Sequence, residues 1–211
     1  MEKNKMSTIT KTHYPIFFSF EKEEHWLEEM SAQGWHLIKA PGFGYTFAQG
    51  QPEQRTYKID FRYFKHNEDQ EEYLSLFMDS GWNYVKPVKN QYNYYFYTNQ
   101  EDASKDIFSD TTSKAQRNLR AAQYSAYTML AVMLPYAALY LSGTIKLSEI
   151  GYLTPGLWEM QGVEFTQHFL FETPFVFLRV VTALFPVFIV LLTLFFYLRS
   201  YRSYKNRVKS L

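Results

Sequence analysis

Few residues in this chain have the type and spacing that catalysis or metal binding requires. His25, Glu28 and Glu29 fall close together on one predicted helix and come nearest to a set of metal ligands. A zinc-binding helix of the H-E-x-x-H type needs two histidines four residues apart, and no pair among the five histidines has that spacing. A solvated acidic helix face explains these three residues better, so we predict no metal site.

Other kinds of catalytic site also lack their residues. The chain contains no cysteine, which excludes disulfides, thiolate metal sites and a cysteine nucleophile. Gly42 and Gly44 form a lone G-x-G without the third glycine and helix of a nucleotide-binding loop. We therefore predict no catalytic residues, no cofactor and no enzymatic activity. Substitution of His25, His36 or Asp60 would test for an enzyme.

Aromatic side chains supply one candidate for ligand binding. Tyr92, Tyr94 and Phe96 fall on one face of a predicted strand, and Tyr95 and Tyr97 fall on the other. A face left outside the core could bind a small apolar or cationic ligand, a protein partner or the membrane surface. A core with a partly covered sheet face is the simpler interpretation.

These candidate residues belong to a segment that occurs twice, at an offset of 47 residues. Each copy contains an amphipathic helix with an acidic first turn, which the helix dipole favours. A Gly-Trp pair follows each helix, and the glycine should end the helix in a left-handed conformation. The matched pairs are Glu24 and Glu71, Trp26 and Tyr73, Leu27 and Leu74, Met30 and Phe77, Gly34 and Gly81, and Trp35 and Trp82.

Strands are predicted on both sides of each helix. Alternation from Tyr57 to Tyr63 predicts a strand with one buried face, and Tyr14 to Phe20 is its equivalent in the first copy. Asn67 is the predicted N-cap of the second helix. Turns at Pro41-Gly42 and Lys89-Asn90 separate strands predicted at 35–39 and 44–48, and at 82–87 and 91–97. The sequence thus predicts an α+β fold, a duplicated β-α-β-β antiparallel sheet with two helices on one face.

Two uncharged apolar stretches follow this polar half. They run from Ala121 to Ile145 and from Val180 to Leu198. Each has about the 20 residues that a helix needs to cross a hydrocarbon core of about 30 Å. The fold should therefore end in a two-helix transmembrane hairpin, with a kink at Pro135 and at Pro186.

The charges around these stretches predict their orientation. The tail after the second stretch carries five basic residues and no acid, and the loop at 146–172 has a net charge of −3. Because basic residues near span ends stay in the cytoplasm, both termini should be cytoplasmic in a multi-pass membrane protein. Arg179 would then lie at the outer edge of the second span and extend its charge to the headgroups. The overall net charge of +1 gives no electrostatic reason to expect nucleic-acid binding.

The predicted organisation has seven parts. They are a flexible N-terminus (1–11), the cytoplasmic duplicated domain (12–98), a linker that becomes helical (99–120), transmembrane helix 1 (121–145), an extracytoplasmic loop (146–172), transmembrane helix 2 (173–198) and a basic cytoplasmic tail (199–211).

Three spaced motifs carry a resemblance to a known family. They are W-L-E-E-M-x-x-x-G-W from Trp26 to Trp35, the Gly44-Tyr45-x-Phe47 strand, and the Tyr57-x-Ile59-Asp60-Phe61 strand. In this order, over about residues 15–97, the chain resembles the bacterial domain of unknown function family 2812. The resemblance implies a bacterial cell-membrane protein with C-terminal spans and implies no activity. The duplicated order is also similar to GyrI-like multidrug-binding domains, which is an analogy of fold alone.

Two functional hypotheses follow. In the first, the protein is a regulatory or sensory module that the spans tether to the lipid bilayer, and its domain binds a protein partner or a small ligand. In the second, it is an accessory component for envelope stress or antimicrobial protection, in which the helices and the outer loop act with a transporter.

Overall fold

The computed structural model describes residues 9–40, 44–86, 92–100 and 106–209. The chain divides into two compact units. The first comprises the residues up to Arg120 together with those from Arg202 onward, and the second comprises Ala121–Tyr201.

The first copy of the repeat consists of four elements. Strand β1 (Thr10–His13) precedes helix α1 (Phe20–Ala32), and strands β2 (Trp35–Lys39) and β3 (Tyr45–Gln49) follow it. The three strands form an antiparallel sheet in the order β1-β3-β2. Leu37 pairs with Phe47 in the β2–β3 register, and both side chains enter the core.

The second copy repeats this arrangement. Strand β4 (Thr56–Phe61) precedes helix α2 (Asn67–Asp79), and strands β5 (Asn83–Tyr84) and β6 (Asn93–Thr98) follow it. The order of the antiparallel sheet is β4-β6-β5, equivalent to that of the first copy. The α+β class is therefore confirmed, and the strands are arranged as two three-stranded sheets.

The two helices confirm the duplication most directly. Both have 13 residues, and α2 begins 47 residues after α1. Gly34 and Gly81 follow the two helices with φ angles of +81° and +83°. Glycine alone adopts this left-handed conformation at little cost, so the same residue type ends both helices.

Two local predictions in this unit are wrong. The run from Tyr14 to Phe20 is not a strand: Tyr14 and Ile16 are exposed and Phe20 begins α1, so apolar content alone misled the prediction. At the offset of 47 residues, β1 instead matches β4, which places residues 10 and 11 in the sheet. Asn67 is the first residue of α2, and the N-cap is His66, which makes no side-chain capping bond. The turns predicted at Pro41-Gly42 and Lys89-Asn90 lie outside the described residues.

Two clusters of buried side chains hold this unit together. The first joins α1 to β4 and both sheets through Leu27, Met30, Leu37, Ala40, Phe47, Tyr57, Ile59, Val85 and Tyr95. The second packs α2 on the other side of β6 through Tyr73, Leu74, Trp82, Tyr94 and Phe96. Trp82 is a core residue, whereas Trp35 is only partly buried at the edge of the first cluster.

The second unit is built on two long helices. Helix α3 (Thr111–Leu141) and helix α4 (Gly162–Lys209) are long and apolar enough to cross a membrane by length and composition. Helix α3 ends four residues before the predicted boundary at Ile145, and α4 begins within the predicted loop at 146–172. Within the unit, the Tyr136 hydroxyl donates to the Ala183 carbonyl over 2.8 Å.

The connection between these helices is held against α4 by Glu172. Its carboxylate accepts hydrogen bonds from the backbone N–H groups of Leu153 and Thr154 and from the Thr154 hydroxyl. Arg179 pairs with Glu172 at 3.2 Å and donates to the Gly151 carbonyl. Arg179 therefore has protein partners, beyond the headgroup contact that the sequence predicted. Above this anchor, Tyr152 stacks on Phe169 and Trp158 lies beside both rings.

Candidate functional site

Three carboxylates crowd the first turn and a half of α1. Glu21, Glu23 and Glu24 occupy positions where the helix dipole favours negative charge, which was the whole explanation available from sequence. The folded chain gives them specific partners as well. Glu23 and Glu24 are buried, and Glu21 lies half-exposed beside them.

Arg117, in the first part of α3, is the central partner of these acids. Its side chain is fully buried. One terminal nitrogen donates to Glu24 Oε1 and to the Ile59 carbonyl, both at 2.6 Å, and the other donates to Glu21 at 2.8 Å. The Phe20 ring lies 4.5 Å from the guanidinium carbon, a distance suited to a cation–π contact. One arginine therefore connects α1, β4 and α3.

These contacts also cover the open edge of the second sheet. Among the described strands, β4 pairs only with β6, so the N–H and C=O groups on its other side need partners. The Glu28 carboxylate accepts a hydrogen bond from the Tyr57 N–H, and the Glu24 carboxylate accepts one from the Ile59 N–H, each at 3.1 Å. Arg117 donates to the Ile59 carbonyl, as described above. Helix α1 and the start of α3 thus replace a neighbouring strand.

Asp60 extends the network to α2. The Tyr73 hydroxyl donates to it at 2.6 Å, and Arg120 pairs with its other oxygen at 2.6 Å and also donates to the Phe61 carbonyl. The alternating pattern of the strand predicted that Asp60 would face solvent. That prediction is wrong, since its residue exposure is 1%. Paired arginine and tyrosine groups compensate the loss of water around the carboxylate.

The tail after the second apolar stretch reaches the same place. Arg207 forms an ion pair with Glu21, on the oxygen that also accepts from Arg117. Burial alone would raise the pKa of Glu21, but hydrogen bonds from Ser19 and the backbone, with Arg117 and Arg207, lower it to about 2. We use the name ion-pair cluster for Glu21, Glu24, Asp60, Arg117, Arg120 and Arg207.

Glu23 lies beside this cluster in a different environment. The hydroxyls of Tyr45 and Tyr95 both donate to its Oε1 atom at 2.8 Å. Burial raises the pKa of Glu23 to about 7, although the tyrosine hydrogen bonds lower it in part; the neighbouring charge of Glu24 also raises it. A carboxyl group in this state can gain or lose a proton near neutral pH.

The histidines considered from sequence have structural roles. His25 is well exposed and lies 3.2 Å from Glu29 on its own helix, in an ordinary surface pair. His36 contacts the Ser31 hydroxyl and donates from Nε2 to the Gln51 carbonyl at 2.8 Å. Within the described residues, no group of three or more His, Cys, Asp or Glu side chains could hold a metal ion.

The aromatic face proposed for ligand binding is not free. Tyr94 and Phe96 are buried against α2, and Tyr95 is buried on the opposite side of β6 in the first core cluster. Tyr92 stacks with Phe61 at 5.7 Å. Helix α1 covers one face of β6 and helix α2 covers the other. The prediction of an uncovered face assumed a single sheet with both helices on the same side.

Sequence reasoning missed Arg117 and Arg120 as partners of the domain. From sequence alone, both are basic residues close to the start of the first apolar stretch, where they favour a cytoplasmic N-terminal side. Their spacing of three residues places them on one side of a helix, a detectable signal. Nothing in the sequence, however, identifies Glu24 or Asp60 as their buried partners.

Fold and site together define a class of protein in which ion pairs join a duplicated α+β domain to the segments that flank two long apolar helices. The protein family described as "Protein of unknown function (DUF2812)" matches residues 19–132, just over half of the chain and most of the ion-pair cluster, and the chain belongs to this family. No curated protein and no solved structure matches the chain.

Proposed function

We propose that this chain is a non-enzymatic regulatory or sensory module of the bacterial cell membrane, whose cytoplasmic domain binds a protein partner or a small ligand. The observation that carries the proposal is the shared use of Glu21 by Arg117 and Arg207. Arg117 lies four residues before Ala121, where the first apolar stretch begins, and Arg207 lies nine residues after the second.

A ligand or partner can act on the apolar helices only if it favours one of two arrangements that differ at those helices. Helix α1 contacts both segments that enter or leave the apolar stretches, so a shift of α1 changes the ion pairs on both. The basic tail and the acidic loop support cytoplasmic termini. Binding of a ligand or partner to the domain would therefore change the ion pairs at the ends of the two spans.

The test uses the full-length protein purified from bacterial membranes. We expect Glu21→Gln to reduce co-purification of a specific partner and to speed amide hydrogen exchange in both α1 and 199–209. Glu29→Gln, an exposed acid on the same helix, is the matched control. The proposal fails if wild type and Glu21→Gln retain the same proteins and the same exchange pattern.

A soluble fragment that ends at residue 110 would contain the duplicated domain but could not replace the full-length protein in this experiment. It lacks Arg117 and Arg120, so Glu24 and Asp60 each lose an arginine at 2.6 Å, and the Ile59 and Phe61 carbonyls lose their arginine donors. The loss of these buried ion pairs would destabilise the fragment, so its failure to bind would not test the proposal.

The second candidate is an accessory component that protects the envelope together with a transporter. The anchoring of the connection by Glu172, with Trp158 exposed above it, favours this function because it gives the far side an ordered aromatic surface. Glu172→Gln should then abolish protection from an envelope-active compound while Glu21→Gln should not. The reverse result favours the first candidate.

A further inference from the structure

Helix α4 is far longer than one membrane crossing requires. Its 48 residues span about 72 Å, against a hydrocarbon core of about 30 Å. The hydrogen bond from Tyr136 to Ala183 fixes the relative depth of the two helices. In an antiparallel hairpin, Leu141 at the end of α3 is then level with about residue 178. The first part of α4, residues 162–177, therefore continues about 24 Å past the end of α3. We call it the α4 extension.

One side of the α4 extension is covered by the chain itself. Glu172 and Thr173 hold the connection through Thr154 and Tyr152, and Phe165 and Phe169 stack beside Trp158. An adjacent side carries Leu170 and Phe177, which are 62% and 66% exposed. Large apolar side chains with this exposure need a covering that is not water.

The exposed side continues without interruption into the apolar stretch. Leu170, Phe177, Val181, Leu184 and Phe188 recur at spacings of seven, four, three and four residues and are all exposed. This periodicity places them on one face of the helix. The residues at the centre of the stretch face lipid if the helix spans a membrane, so the same environment is the simplest covering for those in the extension.

The width of the surface favours lipid over a second helix. A helix partner would cover a narrow seam, whereas Phe171, Leu178 and Phe185 are also exposed one position further round the helix. Trp158, which is 70% exposed, adds an aromatic ring of the kind enriched at membrane interfaces. Pro174 lies within the extension and weakens the helix where a bend is needed.

We infer that the α4 extension lies in the headgroup layer on the extracytoplasmic side of the membrane, with Leu170 and Phe177 in contact with acyl chains. The inference rests on the membrane location in the proposed function. It makes the hairpin an element that both crosses the bilayer and lies on its far surface. The polar residues Glu164 and His168 are exposed and lie at least about 120° round the helix from Leu170 and Phe177.

The absence of cysteine allows a direct test by single-cysteine spin labelling of the full-length protein in phospholipid vesicles. The variants are Leu170→Cys in the extension, His168→Cys on another side of the extension, and Phe188→Cys as the reference in the middle of the span. We expect the label at 170 to collide more often with oxygen than with a water-soluble nickel complex, as at 188, and the label at 168 to show the opposite preference.

Two results overturn the inference. Preferential contact with the nickel complex at 170 would place the extension in water. Low accessibility to both reagents, with spin–spin broadening, would place it against a second copy of the chain. If the label at 188 also fails to prefer oxygen, the membrane location itself is wrong. If 188 prefers oxygen and 170 does not, only the further inference is wrong.

Discussion

Arg117 and Glu24 form an ion pair of 2.6 Å in which the two side chains are only 0% and 5% exposed. Removing two charges from water is costly, and their attraction offsets that cost only with good geometry and further hydrogen bonds to the buried groups. Here the Ile59 N–H and C=O meet these same two side chains. The pair therefore satisfies a strand edge that would otherwise be unpaired.

Removing the arginine should be strongly destabilising. We expect Arg117→Met to lower the free energy of unfolding of the first unit by about 3–5 kcal/mol. The buried Glu24 would lose its nearest cation, the Ile59 carbonyl would lose its donor, and only Lys58 would remain, 3.7 Å from Glu24. The measurement is denaturant unfolding in detergent, followed by the fluorescence of Trp26, Trp35 and Trp82 with Trp158 replaced by Phe.

Two further variants make this result specific. Lys114 lies on the same helix as Arg117 and forms a partly exposed ion pair with Asp106. Lys114→Met removes that pair and should cost about 1 kcal/mol or less. Adding Glu24→Gln to Arg117→Met should restore part of the loss, since the amide is neutral and can still accept from the Ile59 N–H. Equal losses for Arg117→Met and Lys114→Met would show that the buried pair does not stabilise the domain.

Arg207→Gln should have a different effect. Its partner Glu21 is 41% exposed, so the pair should contribute only about 0–1 kcal/mol and weaken in high salt. We expect global stability to change little while amide exchange in 199–209 accelerates. Lys209→Gln, two residues further along the same exposed helix end, is the control. Unchanged exchange in Arg207→Gln would mean that the tail is held by other contacts.

The repeat could be predicted from sequence because its signals are local. Helical periodicity and the Gly-Trp pairs depend only on neighbouring residues, and the helices begin at the expected offset. The ion-pair cluster could not be predicted, because Arg117 meets Glu24 across 93 positions. Asp60 shows the same limit: strand alternation gives its face, but only the placement of α2 and α3 explains why that face is buried.

The two helix-ending glycines should respond unequally to substitution. Both have positive φ, so replacement by alanine should cost about 1 kcal/mol at either position. At Gly34 the new Cβ would also lie 2.7 Å from the Gly50 backbone oxygen, whereas at Gly81 it would meet the side chain of Gln100, which can move. We therefore expect Gly34→Ala to lower the thermal unfolding temperature more than Gly81→Ala. An equal or reversed order would show that the Gly50 contact relaxes freely.

Glu23 should make the stability of the first unit depend on pH near neutrality. Its pKa is about 7 in the fold against 4.5 for an ordinary glutamate, so the folded state binds the extra proton between these values. The stability from this group is fully present below pH 4.5 and is lost as the pH rises through 7. Glu23→Gln keeps an acceptor for Tyr45 and Tyr95 without the charge, and should remove this loss. We expect the difference in unfolding free energy between the variant and wild type to grow from pH 5 to pH 8. A constant difference over that range would mean that Glu23 is ionised in the fold throughout.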